Sequence, residues 1–277
     1  MSDIRLIALD LDGTVLNDQK QITPRTLNVI REAIQAGVDV IPATGRTASG
    51  VPEEFLKIPG VRYALTSNGA SVVELSSGRH LAELAFTPEM AQAVYGRVAH
   101  TGGSMAIFVD GRPYTDVYGM NEGLSLYPPA MHPYLRSTRV MVEDMPAFFR
   151  AHPHEVEKFS IMYPDTASRD AAWQAVEKDC DVEITSSIPN NLEINARGVT
   201  KGRGLLVLAE TLGLSRSQVM ACGDSGNDLT MIQNAGLGVA MANATPEVLA
   251  AADFVTASNN EDGVAKAIER FVLGRAD

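Results

Sequence analysis

Ile4-Arg5-Leu6-Ile7-Ala8-Leu9-Asp10-Leu11-Asp12-Gly13-Thr14 is the stretch from which the fold is read, an apolar segment passing directly into two aspartates one residue apart. A short segment that is nearly apolar throughout reads as a strand covered on both faces, as in parallel α/β sheets. Ligands of such sheets bind beyond the carboxyl ends of the strands, where Asp10 and Asp12 fall. Two carboxylates leaving water together repel each other and need a cation or a proton. Asp12-Gly13 is also a common turn dipeptide, so the stretch alone does not separate a turn from a site.

Working outward, Thr23-Pro24 supplies an N-cap and a proline at the first helical position, and Gly37 a stop, which predicts a helix over 24–36. Val38 to Pro42 is a second apolar segment, ending in Ala43-Thr44-Gly45-Arg46. Strand, helix, strand opens a right-handed parallel unit. Tyr63 to Thr66 is a third, leading into Ser67-Asn68-Gly69-Ala70, so three strand ends carry small polar groups that could face one cleft. Between about Leu84 and Pro189 the chain becomes proline-rich, with helical patterns (88–99, 169–178) among alternating ones (105–109, 158–163). That predicts a separate α+β unit with an antiparallel sheet. From Thr200 the alternation of helix and short apolar segment resumes, so the two terminal parts read as one α/β domain interrupted by an insertion.

The 277 residues, 45% hydrophobic, suffice for real cores. No stretch approaches the roughly 18 apolar residues of a membrane span, and no secretory signal is expected. Cys180 and Cys222 cannot build a disulfide framework, which fits a reducing cytoplasm. A formal net charge of −11 without a basic cluster argues against a nucleic-acid partner. No Gly-x-x-x-x-Gly-Lys-Ser/Thr loop occurs, which excludes a P-loop nucleotide enzyme.

A second acidic strand end, Val219-Met220-Ala221-Cys222-Gly223-Asp224-Ser225-Gly226-Asn227-Asp228, repeats the logic of the first. Asp10, Asp12, Asp224 and Asp228 make a hard-oxygen site suited to Mg2+ rather than zinc or copper. Positive charge comes from Arg46 and from Lys201 at a predicted helix start, and Thr44 and Asn68 offer short hydrogen-bond donors. Each has an ordinary reading, as a solvated lysine or a turn former; their coincidence favours a phosphate site. His152-Pro153-His154-Glu155 reads as a proline-flanked loop rather than a metal centre, and Cys222 as a buried strand residue.

Asp10-Leu11-Asp12-Gly13-Thr14, Thr44-Gly45-Arg46, Lys201 and Gly223-Asp224-Ser225-Gly226-Asn227-Asp228 together resemble the four motifs of the haloacid dehalogenase-like hydrolases, with spacing most similar to the Cof-type sugar-phosphate phosphatases. The resemblance implies a Rossmann-like parallel core over 1–84 and 190–277 and an inserted type 2 cap over 85–189. It implies that Asp10 is the nucleophile and Asp12 the acid and base. Mg2+ would be held by Asp10, the backbone carbonyl of Asp12, Asp224, and Ser225 or Asp228. Thr44, Gly45, Arg46, Asn68, Lys201 and Asn227 would bind phosphate or substrate. The implied partner is a small phosphorylated metabolite. Two alternatives stay open, a phosphosugar mutase of the same superfamily and a non-catalytic metabolite sensor; retention of Asp12 disfavours the latter.

Overall fold

The computed structural model describes residues 3–152 and 156–275. The chain forms two compact units, one of residues 1–45, 51–83 and 200–277, the other of 46–50 and 84–199.

The first unit begins with β1 (Leu6–Leu9), α1 (Pro24–Gln35), β2 (Asp39–Pro42), α2 (Glu53–Leu56), β3 (Tyr63–Thr66), β4 (Ser71–Glu74) and β5 (Arg79–Glu83). Thr23 caps α1 as expected, its hydroxyl accepting from the Thr26 N–H. The second unit contains α3 (Pro88–Val98), β6 (Ser104–Val109), β7 (Arg112–Thr115), α4 (Val117–Met120), α5 (His132–Thr138), β8 (Val140–Met141), α6 (Met145–Ala151), β9 (Val156–Met162), α7 (Thr166–Asp179), β10 (Val182–Thr185) and β11 (Asn191–Ala196). The chain returns through α8 (Lys201–Thr211), β12 (Val219–Gly223), α9 (Leu229–Asn234), β13 (Leu237–Ala240), α10 (Pro246–Ala251), β14 (Phe254–Val255) and α11 (Gly263–Phe271).

The core sheet of the first unit is parallel throughout, in the order β14-β13-β12-β1-β2. Both faces of β1 are covered, which is why it is apolar at every position. Ile7 and Leu9 pack with α1 and α11, while Leu6 and Ala8 pack with α8, α9 and α10. The second unit is built on a sheet in the order β10-β11-β9-β6-β7-β8, antiparallel except for the β7–β8 edge pair. The expected α/β core and α+β insertion are both present.

The unit boundaries differ from expectation at residues 46–50, which count with the second unit, and at 190–199. Residues 190–199, assigned from sequence to the core, belong to the second unit, because β11 pairs antiparallel with both β9 and β10. β3 pairs antiparallel with β4, which pairs with β5, and a parallel Ala43–Leu65 bridge joins β3 to the strand-end region after β2. Among the described residues, no helix is long and apolar enough to cross a membrane.

Candidate active site

β1 and β12 are adjacent, with Leu9 opposite Cys222, and the Asp10 N–H donates to the Cys222 carbonyl at 3.0 Å. The two acidic strand ends of the sequence therefore meet as neighbours. One carboxylate oxygen from each of Asp10, Asp224 and Asp228 lies within 4.8 Å of the other two. Between them stands Lys201, entirely buried, whose Nζ donates to Asp10 Oδ1 and to Asp228 Oδ1, each at 2.6 Å.

The backbone of the site explains why each neighbour is there. Lys201 is the first residue of α8, whose N-cap Thr200 accepts from the Arg203 N–H at 3.1 Å. Gly202, next along, has no room for a side chain, since a Cβ would stand 2.5 Å from the Thr230 carbonyl oxygen of α9. Gly13 turns the chain at φ +87°, and a Cβ there would strike Asp224 Oδ2 at 2.5 Å. Glycine thus lets the first acidic loop lie against the second. Thr14 Oγ1 donates to Asp224 Oδ1 at 2.8 Å, and Asn243 Nδ2 holds the Gly13 carbonyl at 2.9 Å. Asp228 Oδ2 accepts the N–H groups of Asp224 (2.9 Å) and Ser225 (3.1 Å), so both its oxygens have partners and it shapes the loop that presents Asp224.

Burial raises the Asp10 carboxyl well above the usual range, and Asp228 and Asp224 push it further against the pull of Lys201. Asp224 is pushed up to about 7, first by burial and then by Asp228, against the Thr14 hydrogen bond and Lys201. Burial alone would lower the Lys201 ammonium, but Asp10 and Asp228 outweigh it and hold the group charged, above its ordinary value. Carboxylates outnumber the ammonium here, leaving negative charge that further positive charge would relieve. Hard oxygen donors this close suit Mg2+, which hydrolases of this superfamily generally use. Asp10, Asp224 and Asp228 are the carboxylates that could hold such an ion.

The other expected residues fall in five places. Thr44 is buried just past β2, beside the end of β1, where its N–H bonds to the Leu65 carbonyl and its carbonyl receives the Asn68 N–H; Gly45 follows it. Asn68 has a left-handed backbone (φ 60°), and its Oδ1 receives Asn227 Nδ2 at 3.1 Å, which joins the turn after β3 to the Asp224 loop. Ser225 is buried in that loop, its Oγ 3.5 Å from Asn227 Oδ1. Asp12 is held differently from Asp10, by an ion pair from Lys20 Nζ at 2.8 Å. Arg46 counts with the second unit, its guanidinium stacked 4.1 Å from the Tyr134 ring centre and donating to the Gly50 carbonyl at 2.9 Å.

Cys222 is buried as expected, and burial followed by Asp228 pushes its thiol up to about 12, which leaves it inert as a nucleophile. His152 Nδ1 lies 2.9 Å from the Phe148 carbonyl; His154 and Glu155 lie outside the described residues. Sequence reasoning missed Lys20 and Asn243, for which it held no signal, and the use of Thr14, which stood in the first motif without a role.

Residues 7–268 match the family model of haloacid dehalogenase-like hydrolases. The 5-amino-6-(5-phospho-D-ribitylamino)uracil phosphatase YcsE of Bacillus subtilis is 35% identical over 273 residues, 98% of this chain and 97% of that protein. The pyridoxal phosphate phosphatase YbhA of Escherichia coli is 28% identical over 265 residues, 95% of this chain and 97% of that one. A solved haloacid dehalogenase-like hydrolase from B. subtilis superposes with a TM-score of 0.86 at 28% identity, covering 97% of this chain and all of the other. With the family model matched over residues 7–268 and these relatives similar over nearly the whole length, the chain belongs to the haloacid dehalogenase-like hydrolases, as a Cof-type phosphoric monoester hydrolase.

Proposed function

We propose that this chain hydrolyses small phosphate monoesters, sugar and polyol phosphates first among them, through an aspartyl phosphate on Asp10. The observation that carries the proposal is the 2.6 Å contact between the buried Lys201 ammonium and Asp10 Oδ1 at the end of β1. A carboxylate fixed beside a cation at a strand end is poised to attack a bound phosphoryl group. Asp10 forms the new O–P bond as the bond from phosphorus to the leaving oxygen breaks, and Asp12 gives that oxygen its proton. Asp12 then takes a proton from water as the water attacks phosphorus, the Asp10–phosphorus bond breaks and phosphate departs. Lys201, Thr44, Asn68 and Asn227 bind the phosphoryl oxygens, with Gly45 and Arg46 on the substrate.

Mg2+, held by Asp10, Asp224 and the Asp12 carbonyl, with Ser225 or Asp228 direct or through water, would neutralise charge between nucleophile and phosphate when bound. The engagement of both Asp228 oxygens favours a water-bridged part for that residue. The name of the 35% identical relative specifies a phosphorylated ribitylamino group, which supports a polyol phosphate as the substrate class. The two cysteines are free, in keeping with a cytoplasmic location.

The test is phosphate release with and without Mg2+ over sugar phosphates, polyol phosphates, nucleotides and pyridoxal phosphate, beside the Asp10→Asn variant. Mg2+-dependent release, greatest on sugar or polyol phosphates and abolished in the variant, is expected. Turnover surviving Asp10→Asn would remove the nucleophile assignment. Isomerisation of a hexose 1-phosphate without free phosphate would make the chain a mutase, and silence across the panel a sensor.

A further inference from the structure

The Lys20–Asp12 pair is served by more structure than an ion pair requires. Lys20 stands at φ 61°, a left-handed conformation that side chains other than glycine and asparagine rarely adopt. The turn carrying it closes on Asn17, whose carbonyl receives the Lys20 N–H at 2.8 Å and whose Oδ1 receives the Gln21 N–H at 2.9 Å. A second turn, near the C-terminal end of the unit, braces the first. Asn259 Nδ2 donates to the Leu16 carbonyl (3.0 Å) and to Asp18 Oδ1 (3.2 Å). Asn260 exchanges two bonds with Asp18, Nδ2 to Oδ2 at 2.9 Å and Oδ1 from the Asp18 N–H at 3.1 Å. All of this presents one ammonium to one oxygen of Asp12. With the side chains 29% and 24% exposed, the pair adds little to stability by itself. A strained and braced turn for so small a gain points to the chemistry instead.

We propose that Lys20 is a positioning residue for Asp12, fixing that carboxyl group on the side from which it protonates the leaving oxygen. This rests on the assignment of Asp12 as the acid. One Asp12 oxygen bonded to Lys20 limits rotation of the carboxyl group, and the ammonium sits beside the carboxylate that proton delivery leaves behind. Placement matters most when the leaving group is a poor one, because an alkoxide must be protonated as it departs whereas a nitrophenolate need not be.

The experiment compares single-turnover rates of ester cleavage for p-nitrophenyl phosphate and an alkyl ester, glycerol 2-phosphate, in wild type, Lys20→Met, Lys20→Arg, Asn260→Ala and Asp12→Ala. Lys20→Met is expected to slow the alkyl ester about tenfold more than the nitrophenyl ester. Lys20→Arg should recover most of the loss, and Asn260→Ala, which keeps the lysine and loosens its brace, should show a smaller loss of the same selectivity. Circular dichroism and melting temperature establish that each variant is folded. Equal slowing of both esters by Lys20→Met, or no slowing, overturns the proposal while Asp12→Ala stays selective for the alkyl ester. If Asp12→Ala lacks that selectivity, the acid assignment fails and the role of Lys20 with it.

Discussion

Asp224 sits where burial and a neighbouring carboxylate both oppose its ionisation, and its value of about 7 makes the site sensitive to pH. An unfolded chain releases that proton near 3.8, so between about pH 4 and pH 7 the folded protein holds more protons than the unfolded one. The contribution is therefore complete below about pH 4 and is lost as the pH rises through about 7. In chelator, the melting temperature of wild type relative to Asp224→Asn should fall over that interval. Adding Mg2+ should reverse the trend, because the cation favours the ionised carboxylates. A wild-type advantage that grows with pH in chelator would contradict the raised value. Exposed carboxylates such as Asp18, lowered by hydrogen bonds from Asn260 and then Asn259, push total stability the other way. Comparison with the Asn variant removes their share.

At the scale of elements, α8 carries the buried Lys201 and rests on α9 with a glycine at the contact. In an ordinary helix, replacing glycine by alanine adds about 1 kcal/mol of stability. At Gly202 the sign should reverse, because the new Cβ meets the Thr230 carbonyl oxygen at 2.5 Å and backbone atoms cannot swing away. Gly202→Ala is expected to destabilise by about 1–3 kcal/mol, the usual penalty of overpacking. Activity should fall as well, since the adjacent Lys201 is displaced from Asp10 and Asp228. Urea denaturation with a parallel phosphate-release assay measures both. Unchanged stability would mean that α8 is free to shift.

Over the whole molecule, each unit has its own sheet and its own buried charges. The sheet of the second unit buries Lys158 on β9 and Glu193 on β11, 3.3 Å apart, with the ammonium 4.4 Å from the Phe108 ring centre. Removing one partner of such a pair costs about 3–5 kcal/mol because the other charge remains buried. Lys158→Met should therefore lower the unfolding midpoint markedly, and the Lys158→Met/Glu193→Gln double variant should regain part of it. The Mg2+-induced rise in midpoint should persist in both, as Asp10 and Asp224 belong to the first unit. Calorimetry with and without Mg2+ reads both effects.

How much of this was legible before folding depended on whether a residue acts through its neighbours in the chain. The ends of β1 and β12 could be read because an apolar segment closing on aspartates specifies both a buried strand and where its carboxylates emerge. Thr23 announced its helix because capping is local. β11 was misassigned because Asn191–Ala196 alternates polar and apolar residues as an edge of either domain could, and only pairing with β9 and β10 decides. The chain by itself determined the strands, the acidic strand ends and the chemistry these residue types can perform. Tertiary structure alone decided that Lys201 bridges Asp10 and Asp228, that Asp228 holds the Asp224 loop, and that Lys20 grips Asp12. Hydrophobic periodicity specifies which face of an element is buried. A charge partner far along the chain is specified only when strand order and close backbone contact bring the two groups within hydrogen-bond reach.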